Sequence, residues 1–121
     1  MSIFLILLAA GDSKRLKSNT PKPYQIINDR SLIEHSLRAF NEIKEIKKTI
    51  IVYKNTHKKY IKKLILKNTI KIIGGKTRQE STFKALKFIK RMNCKKVLIH
   101  DVARPNPSKK LVAEIINKLN H

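Results

Sequence analysis

Three short stretches of this 121-residue chain gather residue types suited to holding phosphates and sugars. The first runs Leu8-Ala9-Ala10-Gly11 and continues to Arg15 and Lys22, with Pro21 and Pro23 flanking the lysine. Small residues let the backbone approach a ligand closely, and exposed amide N–H groups cradle phosphates. Two cations in one loop suit a triphosphate or a diphosphate, although neither a P-loop nor a dinucleotide fingerprint is present. A glycine turn carrying solvated bases would account for the same residues.

The second stretch is Gly74-Gly75-Lys76-Thr77-Arg78-Gln79-Glu80-Ser81. Paired glycines allow a sharp turn and admit a planar group against the backbone. An ordinary strand-to-helix turn with a Thr cap explains Gly74, Gly75, Thr77 and Glu80 but leaves Arg78 and Ser81 unaccounted for. The third is His100-Asp101-Val102-Ala103-Arg104-Pro105. Asp101 is one of only eight acids and stands where a metal-bound phosphate or a ribose hydroxyl would lie, or serves simply as a turn former. The Arg104 fork matches phosphate oxygens. His100 has no evident nucleophile to serve and reads as structural.

Alternating strands and helices must position these stretches. Ile3–Leu8 is a continuous apolar run and reads as a buried strand. The polar stretch Asp12–Asn28 reads as a loop, its two prolines preventing a regular helix. Ser31 to Glu34 has capping-box spacing, and Ile33, Leu37 and Phe40 then share a helical face over 32–41. Lys48–Tyr53 reads as a second strand, Lys58–Leu66 as a helix and Thr69–Ile73 as a third strand. Thr77 to Glu80 is a further capping box, opening a helix with Ala85, Leu86, Ile89 and Met92 inward. Val97–Ile99 is a fourth strand, and Ser108 caps a last helix with Leu111, Val112, Ile115, Ile116 and Leu119 on its buried side. This alternation with short connections predicts an α/β layer with a parallel sheet. In such sheets ligands bind beyond the carboxyl ends of the strands, where all three stretches fall.

Composition narrows the classes. The chain is 41% hydrophobic, enough for a core and against wholesale disorder. A single cysteine, Cys94, makes no internal disulfide, which points to a reducing compartment. No apolar run approaches the ~20 residues of a membrane span. The first apolar run lacks a basic segment before it, against a signal peptide, so a soluble cytoplasmic protein is expected. The net charge of +20 invites a nucleic-acid reading. Against it, the basic residues are spread along the chain, Lys far outnumbers Arg, and there is no Trp.

In this order the three motifs resemble the 2-C-methyl-D-erythritol 4-phosphate cytidylyltransferase family of the non-mevalonate isoprenoid pathway. The likeness runs from Ile3 to Leu119. Its opening is shared with many sugar nucleotidyltransferases, whereas Gly74-Gly75, Arg78 and Ser81 followed by His100-Asp101 and Ala103-Arg104-Pro105 are more specific. The resemblance implies a Rossmann-like, mostly parallel sheet with helices on both faces, of the nucleotide-diphospho-sugar transferase type. It implies that the backbone at Ala9, Ala10 and Gly11, with Gly75 and Ser81, holds the cytidine. Arg15 and Lys22 would be the catalytic cations on the triphosphate. Asp101 would meet the ribose and the incoming substrate, and Arg104 the methylerythritol phosphate. Mg²⁺ would bridge the phosphate oxygens with no metal centre of the protein's own. CTP and a polyol phosphate are the implied ligands, with no membrane partner.

Ser13 stands where the family usually has a second glycine, Pro23 where Gln is frequent, and Lys76 where an acid is frequent. Family members run to roughly twice this length. Residues 1–121 are therefore expected to form a single partial domain, truncated to the CTP-binding half, without the C-terminal half and the dimerisation β-arm. A homodimer is the expectation for the full-length family. Ribitol 5-phosphate cytidylyltransferases share the strand-end motifs and stay open as an alternative, as does a non-catalytic basic nucleic-acid-binding domain.

Overall fold

A computed structural model describes residues 3–10, 20–64, 67–92 and 96–102. At its centre is β1 (Ile3–Ala9), whose seven residues are all buried. The cause is its place in the sheet. It is flanked on one side by β4 (Ile46–Tyr53) and on the other by β6 (Lys96–Asp101), both parallel to it. Outside β4 lies β5 (Thr69–Ile73), also parallel, giving the order β5-β4-β1-β6.

Side chains alternate across β1 into two apolar layers. Ile3, Leu5, Leu7 and Ala9 join a cluster with Ile33, Leu37 and Phe40 of α1 (Leu32–Asn41) and Ile61 of α2 (Lys58–Ile61). Phe4, Ile6 and Leu8 pack on the other face with Ala85 and Ile89 of α3 (Arg78–Ile89). A strand covered on both faces has no polar side, which is why β1 reads as an unbroken apolar run. The chain winds outward from β1 to β4 and β5, then returns through α3 to β6 on the far side of β1. The strand order thus reverses at β1, and the crevice beyond the carboxyl ends of β1 and β6 is the place where such sheets take ligands.

Several expectations hold as stated. α1 begins with the full capping box: the Glu34 amide donates to Ser31 Oγ at 3.3 Å, and the Ser31 amide donates to Glu34 Oε1 at 3.2 Å. β5 covers Thr69–Ile73 as expected, while β4 and β6 are longer than the apolar runs that signalled them.

Others are corrected. Of the helix expected over 58–66, α2 covers only Lys58–Ile61, preceded by a 3₁₀ turn at Asn55–His57, and residues 65 and 66 lie outside the described residues. Beyond its end the Leu64 amide donates to the Ile61 carbonyl at 3.1 Å, and Lys71 Nζ, reaching from β5, donates to the carbonyls of Ile61 at 3.2 Å and Leu64 at 2.8 Å. Those carbonyls are satisfied without further helix. Within the stretch read as a loop over 12–28, of which 12–19 lie outside the described residues, there are a 3₁₀ turn (Lys22–Tyr24) and β2 (Ile26–Ile27), which forms a hairpin with β3 (Arg30–Ser31) just beyond it. Asn28 and Asp29 turn it with φ of 52° and 68°, a pair of left-handed residues that matches the twist of a tight hairpin. In α3, Leu86 faces outward at 41% exposure, because the row Ser81, Ala85 and Ile89, spaced four apart, lies against the sheet. The last helix expected after Ser108 lies outside the described residues.

Candidate functional site

Parallel register sets the carboxyl ends of the strands flush. Ala9 pairs with Tyr53, Tyr53 with Ile73, and Leu8 with Asp101. The chain leaving β5 then folds tightly over this rim. The Gly74 amide donates to the Tyr53 carbonyl at 2.8 Å, carrying the ladder one residue beyond the strand. A Cβ at Gly74 would stand 2.6 Å from Ser81 Oγ, 2.7 Å from Ala10 Cβ and 3.0 Å from Val52 Cγ1. A Cβ at Gly75 would stand 2.5 Å from Glu80 Cβ. Neither glycine adopts a positive φ, so glycine is required here for space rather than for a left-handed backbone.

Two strand ends and a helix start therefore meet: Ala10 after β1, Gly74 and Gly75 after β5, and Ser81 from the first turn of α3. Ser81 is 2% exposed, and its Oγ accepts the Gly75 amide at 3.0 Å. Its hydroxyl sits beneath the glycine turn and braces it. Thr77 caps α3 by accepting the Glu80 amide at 3.0 Å. The expected reciprocal half of the box is displaced, since Glu80 Oε2 accepts from the Lys76 amide at 3.0 Å. Glu80 thereby ties down the residue after Gly75.

Asp101 closes the other side of the crevice. Alternation along β6 turns Leu98 and His100 toward the α1 layer, where the His100 ring meets Phe40 edge-on with centroids 5.2 Å apart. That agrees with a structural His100. Asp101 faces the opposite way, toward α3, and accepts from Arg78 Nε at 3.1 Å to each carboxylate oxygen. Arg78 is the first residue of α3, so the helix amino terminus, with its partial positive charge, opens on the crevice beside it. Lys84 Nζ lies 3.5 Å from the Gly74 carbonyl.

Lys22 opens the 3₁₀ turn, whose anchor is Tyr24. Tyr24 is 5% exposed, stacks on Tyr60 at 4.8 Å and meets His57 edge-on at 5.6 Å. It belongs to the same apolar cluster as Ala9, Tyr53 and Val102, so the turn is docked at the carboxyl end of the sheet. Burial, with Tyr53 nearby as a smaller cause, pushes the Tyr24 hydroxyl well above its ordinary range. Gly11, Arg15 and Arg104 lie outside the described residues.

Two residues of this site were undervalued by sequence reasoning. Gly74 was read as part of the glycine turn but was left out of the cytidine cradle, although its pairing with Gly75 was the signal. Arg78 was noticed as unexplained, but its partner is 23 residues away and no local pattern reveals it. Among the described residues no cluster of three acidic, His or Cys side chains could hold a metal ion. The carboxylate at the rim is engaged by Arg78, so the donor set suits a divalent ion held mainly by a ligand's phosphates.

The arrangement thus offers a backbone cradle without side chains, a carboxylate for hydroxyl groups and surrounding cations. Known proteins are similar to this chain in sequence and fold. The chain is 47% identical over 119 residues to a bifunctional enzyme IspD/IspF of Pelagibacter ubique, covering 98% of this chain and 32% of that one. It is 36% identical over 115 residues to a 2-C-methyl-D-erythritol 4-phosphate cytidylyltransferase of Thermotoga neapolitana, covering 93% of this chain and 52% of the relative. The crystal structure of 4-diphosphocytidyl-2C-methyl-D-erythritol synthase from Anaerococcus prevotii superposes with a TM-score of 0.82 at 31% identity, over 98% of this chain and 50% of that one. The chain thus spans about half the length of the single-activity relatives it matches. Residues 3–121 match the pattern described as IspD, 2-C-methyl-D-erythritol 4-phosphate cytidylyltransferase, and the chain belongs to that family.

Proposed function

We propose that this chain is the CTP-binding part of a cytidylyltransferase that moves CMP from CTP to 2-C-methyl-D-erythritol 4-phosphate and releases pyrophosphate, in isoprenoid precursor synthesis. The observation that carries the reading is the convergence of Ala10, Gly74 and Ser81, packed too closely for one more Cβ. Such a rim leaves backbone atoms to meet a flat base. In this reading Ala9, Ala10, Gly11, Gly75 and Ser81 form the cytidine cradle, and Asp101 accepts from the ribose. Arg15 and Lys22 grip the triphosphate, and Arg104 meets the polyol phosphate.

The reaction is an in-line displacement. An oxygen of the substrate phosphate forms a bond to the α-phosphorus while the bond to the bridging oxygen of the β-phosphate breaks. The electron pair leaves with pyrophosphate, and no protein nucleophile takes part. Catalysis then rests on orientation and on cations placed where negative charge grows. Lys22 suits that task because Tyr24 fixes its turn against the core. Mg²⁺ bound to the triphosphate supplies further charge neutralisation. Among the described residues no helix is long and apolar enough to cross a membrane. A cytoplasmic enzyme, acting as the homodimer expected of the full-length family, fits this reading.

The test is pyrophosphate release from CTP and Mg²⁺, with 2-C-methyl-D-erythritol 4-phosphate or ribitol 5-phosphate as acceptor. Release that needs the methylerythritol phosphate and falls about 10²–10³-fold in Lys22→Ala supports the proposal. Release driven by ribitol 5-phosphate instead would transfer the assignment to that acceptor. If Lys22→Ala matched the parent rate, Lys22 would have no catalytic part.

A further inference from the structure

The Arg78–Asp101 pair has a geometry that general stabilisation does not require. Its side chains are 61% and 21% exposed, and ion pairs of that exposure contribute little to folding. What the pair does is constrain the acid. A single N–H, at Nε, lies 3.1 Å from both carboxylate oxygens, so it sits between them on the outer side of the group. That is the position a divalent cation takes when a carboxylate chelates it through both oxygens. Arg78 fills it with a positively charged donor, which also repels a second cation.

An ionised carboxylate has about four lone-pair directions, and this bond uses the two that face each other. The outer directions are those from which a neutral O–H donor of a ligand would approach. The Arg78 backbone is held in place, because it is the first residue of α3 and follows the Thr77 cap directly. Glu80 and Ser81, in the same turn, secure the Gly75-Lys76 stretch. One helical turn thus sets both walls of the crevice, the glycine cradle and the acid.

The geometry points to Arg78 as a positioning residue that fixes Asp101 as an acceptor for the ribose hydroxyls of a bound nucleotide and keeps it from chelating the ion that accompanies the phosphates. The inference rests on the nucleotide reading above and adds a second residue to it. Arg78 acts through Asp101, so its loss removes discrimination for the sugar and not merely affinity.

Calorimetric titration of the full chain with CTP and with 2′,3′-dideoxy-CTP, in Mg²⁺ and again in EDTA, tests this. The parent protein is expected to prefer CTP roughly tenfold, the scale of a hydrogen bond to a charged group. The preference should be the same in EDTA. Arg78→Gln should bring it to within about twofold, as should Asp101→Asn, and the double variant should lose nothing more, the signature of two residues acting as one unit. A thermal melt of Arg78→Gln close to the parent's would show that the fold is retained. A preference that survives in Arg78→Gln overturns the inference and leaves the nucleotide reading intact. A preference abolished by EDTA overturns it as well, since Asp101 would then act through the metal. Binding of neither nucleotide by the parent protein overturns both.

Discussion

The Ser81 hydroxyl accepts the backbone N–H of Gly75 at 3.0 Å, so the first turn of α3 holds the turn that leaves β5. The bond joins two sequence motifs into one surface and gives a buried serine a structural duty at the rim of the site. Ser81→Ala leaves the Gly75 amide without this acceptor. The expected cost is about 1–3 kcal/mol of stability, the penalty for an unpaired polar group. Denaturant unfolding measures it, and a loss below a few tenths of a kcal/mol would mean that water replaces the hydroxyl freely.

Gly74→Ala should be worse tolerated than its conservative appearance suggests. The new methyl would meet Ala10 Cβ at 2.7 Å and Val52 Cγ1 at 3.0 Å, groups that have little freedom to move. Overpacking of this kind costs about 1–3 kcal/mol. The strand ends must spread to relieve it, so CTP affinity should fall together with the melting temperature. Unchanged melting would show that β5 can shift outward without cost.

Tyr24 should impose an alkaline limit on stability. Its hydroxyl is buried, and among the described residues no hydrogen-bond partner meets it. Its ordinary value is 10.0, and burial raises it in the folded state. The folded form therefore resists ionisation while the unfolded chain ionises normally. Stability from this group is complete below pH 10 and is lost as pH rises above it, by about 1 kcal/mol at pH 11. Tyr24→Phe removes a buried hydroxyl that lacks a partner, so it should exceed the parent protein already near neutrality, by a margin that widens at pH 11. Parallel unfolding curves for the two proteins across that range would refute the assignment.

Much of this protein was legible locally because the signals are short-range. The unbroken apolar run at 3–8 announced a strand buried on both faces. Ser31 and Glu34 announced the start of α1, since a capping box is complete within four residues. The strand-end motifs pointed to one rim of the sheet, because parallel α/β sheets place their carboxyl ends on the same side.

What only the tertiary structure decided depends on groups far apart in the chain. Lys71 of β5 satisfies the carbonyls of Ile61 and Leu64 beyond α2, a contact that the helical spacing after Lys58 could not reveal. The reason for Gly74 is Ala10, Val52 and Ser81 around it, and not its own backbone angle. Arg78 and Asp101 meet only because α3 carries the chain back across β1, setting β6 on the side opposite β4. Patterning is read by the nearest few residues and so determines the elements. Strand order and register bring distant side chains within hydrogen-bond reach, and those contacts exist only once the sheet has closed around β1.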